Sequence, residues 1–166
     1  MEEDKIIQDC VNQFNSSNYT VVEMYCKSTD CVFKDRNFLK PDGSLDKTAM
    51  NKYFEDQLKN YTEWRDIFKT VAIEPCFQMI EENHQQMVSF FESNKLDILP
   101  MSQCSVKPTL MSFCMELNLL ANCPSKHTIG GLECQEARTF VKKCVNTTES
   151  FLQFLKSYAD KTGEMK

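Results

Sequence analysis

The sequence predicts an all-α fold, a single multi-helix domain over residues 1–166 crosslinked by disulfides, with 145–166 as a C-terminal helical extension. Three observations predict it. Apolar residues recur at helical spacing through most of the chain. Glycine occurs four times and proline five, too little turn punctuation for a sandwich or barrel. Nine cysteines fall on the apolar faces of the expected helices, and the last four, Cys114, Cys123, Cys134 and Cys144, stand nearly ten residues apart. That interval is about one helix length, as expected if each crosslink ties a helix to a neighbour.

The first helix is expected around Ile6, Cys10 and Phe14, flanked by Ile7 and Val11. A second carries Val21, Val22, Tyr25 and Cys26, and apolar residues resume at Cys31, Val32 and Phe33. Between them the polar run Lys27-Ser28-Thr29-Asp30 is expected to break or bulge the helix, since such side chains compete for backbone hydrogen bonds. Pro41-Asp42-Gly43-Ser44 predicts a turn in which proline sets φ, glycine takes a positive φ and Ser44 caps the next helix. That helix bears Leu45, Ala49, Tyr53, Phe54 and Leu58. Trp64, Ile67, Phe68 and Val71 form a further stripe, expected to end at Glu74-Pro75. Pro75 then suits the first turn of a helix with Cys76, Ile80, Met87, Val88 and Phe91, closed by the segment from Leu96 to Pro100. Pro108 is expected to open a helix with the stripe Leu110, Cys114, Leu117 and Ala121. After Gly130-Gly131, Cys134, Ala137, Val141 and Cys144 share one face. The last helix starts near Thr148, places Phe151, Phe154, Leu155 and Tyr158 on one side, and stops at Gly163.

The chemistry of the cysteines narrows the function classes. Metal ligands come in close pairs, two to four residues apart, and no C-x2-C occurs. Cys123-Pro-Ser-Lys-His127 has no matching cluster, so no metal or other cofactor is expected. Nine cysteines with two histidines do not read as a lone nucleophile with its base. A disulfide framework remains, and with it an oxidising, extracellular compartment. The 19 basic and 24 acidic residues give a net charge of −5 and no basic stripe, which argues against nucleic acid. No apolar run reaches the length of a membrane span. The start MEEDKIIQDC is acidic and lacks an apolar stretch, so the expectation is a secretion signal already removed and Met1 an expression start codon. Sequons at Asn15, Asn18, Asn60 and Asn146 suit a secreted surface. No Ser/His/Asp set, paired-acid motif or phosphate loop emerges, so no enzymatic activity is expected. His127 follows Cys123-Pro124 in a polar loop, and His84 lies in the exposed-looking run Glu-Glu-Asn-His-Gln-Gln. Neither makes a good ligand or base.

Written in full, the cysteine pattern is Cys10-x15-Cys26-x4-Cys31-x44-Cys76-x27-Cys104-x9-Cys114-x8-Cys123-Pro124-x9-Cys134-x9-Cys144. It resembles the insect odorant-binding proteins, and among them the Plus-C group, which adds cysteines to a basic six and places proline directly after the sixth. The segment CVFKDRNFLKPDGSLDKTAM from Cys31 is similar to the family's stretch after its third cysteine. The resemblance covers essentially the whole chain. It implies basic cysteines Cys10, Cys26, Cys31, Cys76, Cys114 and Cys123, paired Cys10–Cys31, Cys26–Cys114 and Cys76–Cys123. A fourth disulfide is then drawn from Cys104, Cys134 and Cys144, with Cys104 joined to Cys134 or Cys144. The residues alone leave about 945 arrangements open. One departure is plain: the family spaces its second and third cysteines by four, whereas here the gap is five, which turns Cys31 about 140° from Cys26 on an ideal helix.

The resemblance further implies an enclosed apolar cavity and a secreted carrier of small hydrophobic volatiles, odorants or pheromones, in the lymph around sensory neurons. Twelve Phe, nine Met, five Tyr and one Trp provide a soft, polarizable interior, although each such side chain on its own reads first as core, and only the scaffold argues for a cavity. The expected pocket wall is Phe68, Met87, Phe91, Met111, Leu117 and Leu120, with Phe154 and Tyr158 from the last helix. That helix is expected to be a lid, a core element or a homodimer contact. A second reading of the same cysteines is a secreted interaction protein, such as a salivary or reproductive-fluid factor that binds another protein.

Overall fold

Asp4 begins the first helix as an N-cap, its carboxylate accepting the Ile6 N–H at 3.1 Å. In the computed structural model, which describes residues 4–15, 19, 21–93, 104–122, 132–145 and 147–163, this helix is α1 (Lys5–Phe14). Cys10 is its buried residue, while Ile7 and Val11 on the flanks of the expected stripe are exposed.

Helix α2 (Val21–Asp35) runs unbroken through the polar insert, correcting the expected break. The hydroxyls of Ser28 and Thr29 each donate to a carbonyl one turn back, Met24 O and Tyr25 O, both at 2.7 Å. They bond inside the helix rather than competing with it. Asp30 pairs with Lys34 one turn on, at 2.6 Å. The helix ends at Asn37, the one non-glycine residue with positive φ (57°) among the described residues. There the Phe38 N–H reaches Phe33 O at 2.8 Å and the Asn37 N–H reaches Lys34 O at 3.0 Å. These are the two bonds of a Schellman motif, and the hydrophobic contact that accompanies it is the edge-to-face pair Phe33–Phe38, 5.5 Å between ring centres.

The Pro41–Ser44 turn forms as expected, with Gly43 at φ 80°, between Leu39 and Leu45, which make an isolated antiparallel bridge. Ser44 does not cap the following helix. Its N–H and hydroxyl both donate to the Asp42 carboxylate, at 2.9 and 2.7 Å, and these bonds hold the exposed Asp42 carboxyl below its usual range. The cap of α3 (Lys47–Gln57) is Asp46, which accepts the Ala49 N–H at 2.9 Å.

Helix α4 (Thr62–Ile67) was expected to end at Glu74-Pro75. Instead it passes through a π-helical turn (Phe68–Ile73) straight into α5 (Glu74–Ser93). The Glu74 N–H bonds Lys69 O, five residues back, so the ladder is already re-phased where Pro75 brings no N–H of its own. Helix α5 kinks at Asn83 (φ −116°, ψ 15°), whose side chain donates to Met79 O at 2.8 Å. The expected closing segment 96–100 lies outside the described residues.

Helix α6 (Val106–Asn122) begins two residues before Pro108, the residue expected to open it, and packs on α2, the π turn, α5 and α7 (Leu132–Cys144). On α7 Val141 is buried, but Ala137, expected on the same inner face, is exposed. Helix α8 (Thr148–Gly163) is capped reciprocally by Thr147 and Ser150 and packs on α5. Its Phe151, Leu152 and Leu155 are buried in the same core as Phe33, Met50, Ile73, Ile80, Leu110 and Met111. No helix among the described residues is long and apolar enough to cross a membrane.

Three disulfides tie this body together among the described residues. Cys10–Cys31 joins α1 to α2, as the resemblance implied. The other two correct it: Cys26 is bonded to Cys104, not Cys114, and Cys76 to Cys114, not Cys123. The unbroken α2 sends Cys31 toward α1 and Cys26 toward the first turn of α6, where Thr109 donates to the Cys26 sulfur at 3.3 Å. Cys114 lies five residues past Thr109, about 7.5 Å along the axis and about 140° round it, and so meets α5. The expected bond from Cys104 to Cys134 or Cys144 is excluded by the same pairing. Cys123 lies outside the described residues, as do the side chains of Cys134 and Cys144.

Candidate functional site

The Schellman turn fixes more than a helix end, because Phe38 carries the contact from α2 to α3. Its ring lies 5.4 Å from Tyr53 and 6.3 Å from Phe54, Tyr53 meets Phe54 edge-on at 5.2 Å, and Phe54 stacks on Phe68 at 4.5 Å. Five rings, Phe33 through Phe68, thus form a continuous wall built from α2, the loop behind it, α3 and the π turn. Met50 continues that wall, and Ile7, Val32, Met115 and Leu119 complete an apolar cleft of about 300 Å³.

Polar groups on the cleft are few, and they converge. Arg36, whose side chain is only 6% exposed, forms an ion pair with Asp4. Its guanidinium lies over the Tyr53 ring, 4.1 Å from the centre. The Tyr53 hydroxyl in turn donates to the Asp4 carboxylate at 3.1 Å. Ser112 and Glu116 line the α6 side, where Glu116 accepts the Tyr25 hydroxyl at 2.8 Å. A largely apolar concavity with a small polar group at one place is the usual form of a small-molecule site.

The two clefts of greatest volume among the described residues lack this character. One of about 490 Å³ runs between α5, α6 and the start of α8, mixing Met79, Leu117 and Phe151 with Gln78, Glu82 and Asn118. Another, of about 530 Å³, is bordered by Asp42, Ser44, His84 and Lys107. His84 is half-buried there rather than exposed, as its sequence surroundings suggested. Burial first, and then the nearby Lys107, lower its pKa, while Glu81 opposes them. The one cluster of metal-type ligands among the described residues is Cys10, Cys31 and Asp35, and both of its sulfurs are joined to each other.

Among the described residues, the side chains expected to wall a pocket do not line one common cleft. Phe68 alone among them lines the aromatic cleft, and Leu117 lines the larger cleft beside α5. Met87 and Met111 are fully buried in the core. Leu120 is 40% exposed, because it follows Leu110 by ten residues and so sits about 80° round the helix from it. Phe154 is half-buried, 6.4 Å from the Phe140 ring. The side chains of Phe91 and Tyr158, like His127, lie outside the described residues. The sequence places Phe33, Tyr53 and Phe54 on apolar helix faces without marking them, or Phe38, as a pocket wall. The available signal was Asn37, a residue tolerant of positive φ, flanked by two phenylalanines at the spacing of a Schellman contact.

A sequence model of the AgamOBP47-like family matches residues 1–140, a span that contains every residue of the aromatic cleft. General odorant-binding protein 68 of Anopheles gambiae is 26% identical over 140 residues, 84% of this chain but 63% of that relative's length. The chain therefore spans a little under two thirds of the curated relative it matches. No solved structure matches it. With helices pinned by buried disulfides and a family match running from α1 into α7, the chain belongs to the AgamOBP47-like family of insect odorant-binding proteins.

Proposed function

We propose that the protein is a secreted, single-domain carrier of the Plus-C type. In this reading it reversibly holds small hydrophobic semiochemicals, odorants or pheromones, in an apolar cavity formed by the aromatic cleft and delivers them toward chemosensory receptors. The observation that carries this reading is the wall of five rings around a space of about 300 Å³. At roughly 30 Å³ per heavy atom, the density of liquid water, that space holds about ten heavy atoms, and as an open cleft it leaves the remainder of a larger molecule, such as a fluorescent probe, outside. Roughly 0.8 kcal/mol per atom lies between the limits for very small and for drug-sized ligands, and gives a Kd near micromolar. Binding of that strength is reversible on a carrier's terms. The family membership, the buried disulfides and the sequons support the extracellular setting. The proline directly after the cysteine at 123 supports the Plus-C assignment.

The test is displacement of the fluorescent probe N-phenyl-1-naphthylamine by volatiles of this size. Phe54→Ala and Phe68→Ala each remove a stacked ring from the wall and are expected to weaken binding about tenfold, with the helical circular dichroism spectrum retained. Unchanged affinity in both variants would move the ligand to another part of the molecule. Failure of any small apolar compound to displace the probe would end the carrier reading.

A further inference from the structure

Arg36 is an unusual residue to find on an apolar cleft. It sits immediately before Asn37, so the Schellman turn holds its backbone in place. Its side chain is 6% exposed. The charge is met on one edge by Asp4 and on its face by Tyr53. The Nε–H, however, is buried and has no acceptor among the described residues. A buried donor on a charged group is costly to leave unmatched, and such a group calls for a ligand or water oxygen. Arg36 lines the aromatic cleft, and no other cationic side chain does among the described residues.

The surroundings also determine what kind of oxygen fits. Asp4 already balances the guanidinium charge, and its carboxylate is engaged by the Ile6 N–H, the Tyr53 hydroxyl and Arg36 together. Glu116 adds a second carboxylate to the cleft lining, and Ser112 is neutral. An anionic ligand head would therefore meet two carboxylates for one guanidinium already paired. A neutral carbonyl oxygen accepts from arginine without adding charge, while the remaining chain lies against Phe54, Phe68, Met115 and Leu119. We infer that this cleft selects neutral amphiphiles bearing one carbonyl oxygen, such as medium-chain ketones, aldehydes or esters, with Arg36 as the hydrogen-bond donor that separates them from hydrocarbons and fatty-acid anions. The inference rests on the carrier reading and names its ligand class.

The experiment uses the full chain and three competitors of nearly equal size, 2-nonanone, decane and nonanoate, against N-phenyl-1-naphthylamine. The ketone is expected to displace the probe at about tenfold lower concentration than either of the others, the worth of one charge-assisted hydrogen bond. In Arg36→Met the preference for the ketone over decane falls from about tenfold to about one. In Asp4→Asn the guanidinium is left without its counter-ion, and nonanoate gains about tenfold while decane does not. Equal displacement by ketone and decane in the unaltered protein overturns the inference and leaves the carrier reading standing. A ketone preference that survives in Arg36→Met overturns it as well. Should Arg36→Met lose its helical spectrum, Asp4→Asn decides, and a nonanoate affinity that does not rise there overturns the inference. Failure of all three competitors to displace the probe removes both readings together.

Discussion

Asn37 and Arg36 are adjacent residues with opposite kinds of constraint. Asn37 is there for its backbone: at φ 57° a side chain with a Cβ is disfavoured, and asparagine tolerates the left-handed region better than most. Arg36 is there for its side chain, which the turn delivers under Tyr53. Replacing Asn37 separates the two. Asn37→Ala is expected to destabilise the protein by about 1 kcal/mol, whereas Asn37→Gly is neutral or slightly stabilising. Urea denaturation followed by circular dichroism measures both. Equal effects from alanine and glycine would mean that the asparagine side chain, not its φ, secures the turn.

Among the elements, α8 is the one whose role the sequence left most open. Phe151, Leu152 and Leu155 belong to the main core, and none of them lines the aromatic cleft. Phe151 contributes instead to the cleft beside α5. Burial of three such side chains favours docking by roughly 1.5–3 kcal/mol each, which makes α8 a core helix in energetic terms. Truncation after Val145 is accordingly expected to lower the thermal midpoint by at least about 10 °C, on a scale of roughly 2–4 °C per kcal/mol for a chain of this size. A truncate that keeps its midpoint but exchanges ligand faster would instead identify α8 as a lid. The π turn makes a related point: by carrying α4 into α5 without a stop, it sets Phe68 on the cleft while Ala72 and Ile73 enter the core.

At the scale of the whole molecule the disulfides form a chain of ties, α1 to α2, α2 to the approach of α6, and α6 to α5. They close sequence separations of 21, 78 and 38 residues, each contributing roughly 3–5 kcal/mol by loop entropy. Peptide mapping without reduction is expected to recover Cys10–Cys31, Cys26–Cys104 and Cys76–Cys114. A total of four disulfides then requires the fourth to join two of Cys123, Cys134 and Cys144. Thiol titration in denaturant should accordingly find one free sulfhydryl per chain. Recovery of a Cys26–Cys114 peptide would reinstate the pairing that the family pattern implied.

By itself the sequence determined the helical class, most helix positions, the burial of Cys10, Cys26, Cys76, Cys104 and Cys114, and the family. Each of these depends on a local period or on spacing along one chain: a stripe such as Leu110, Cys114, Leu117 and Ala121 is legible because every residue advances about 100° on its own helix. The 140° between Cys26 and Cys31 was legible in the same way, and the unbroken α2 made it literal. Disulfide partners and the binding wall were decided only by tertiary structure. Which sulfur Cys26 meets depends on how far along α6 the two helices cross, and no periodicity within either helix encodes that level. The aromatic wall gathers residues from α2, a loop, α3 and a π turn, through a proline-containing passage that local rules read as a helix end. Its position follows from backbone events, a left-handed asparagine and a re-phased ladder, whose effect is to re-aim neighbouring side chains in space.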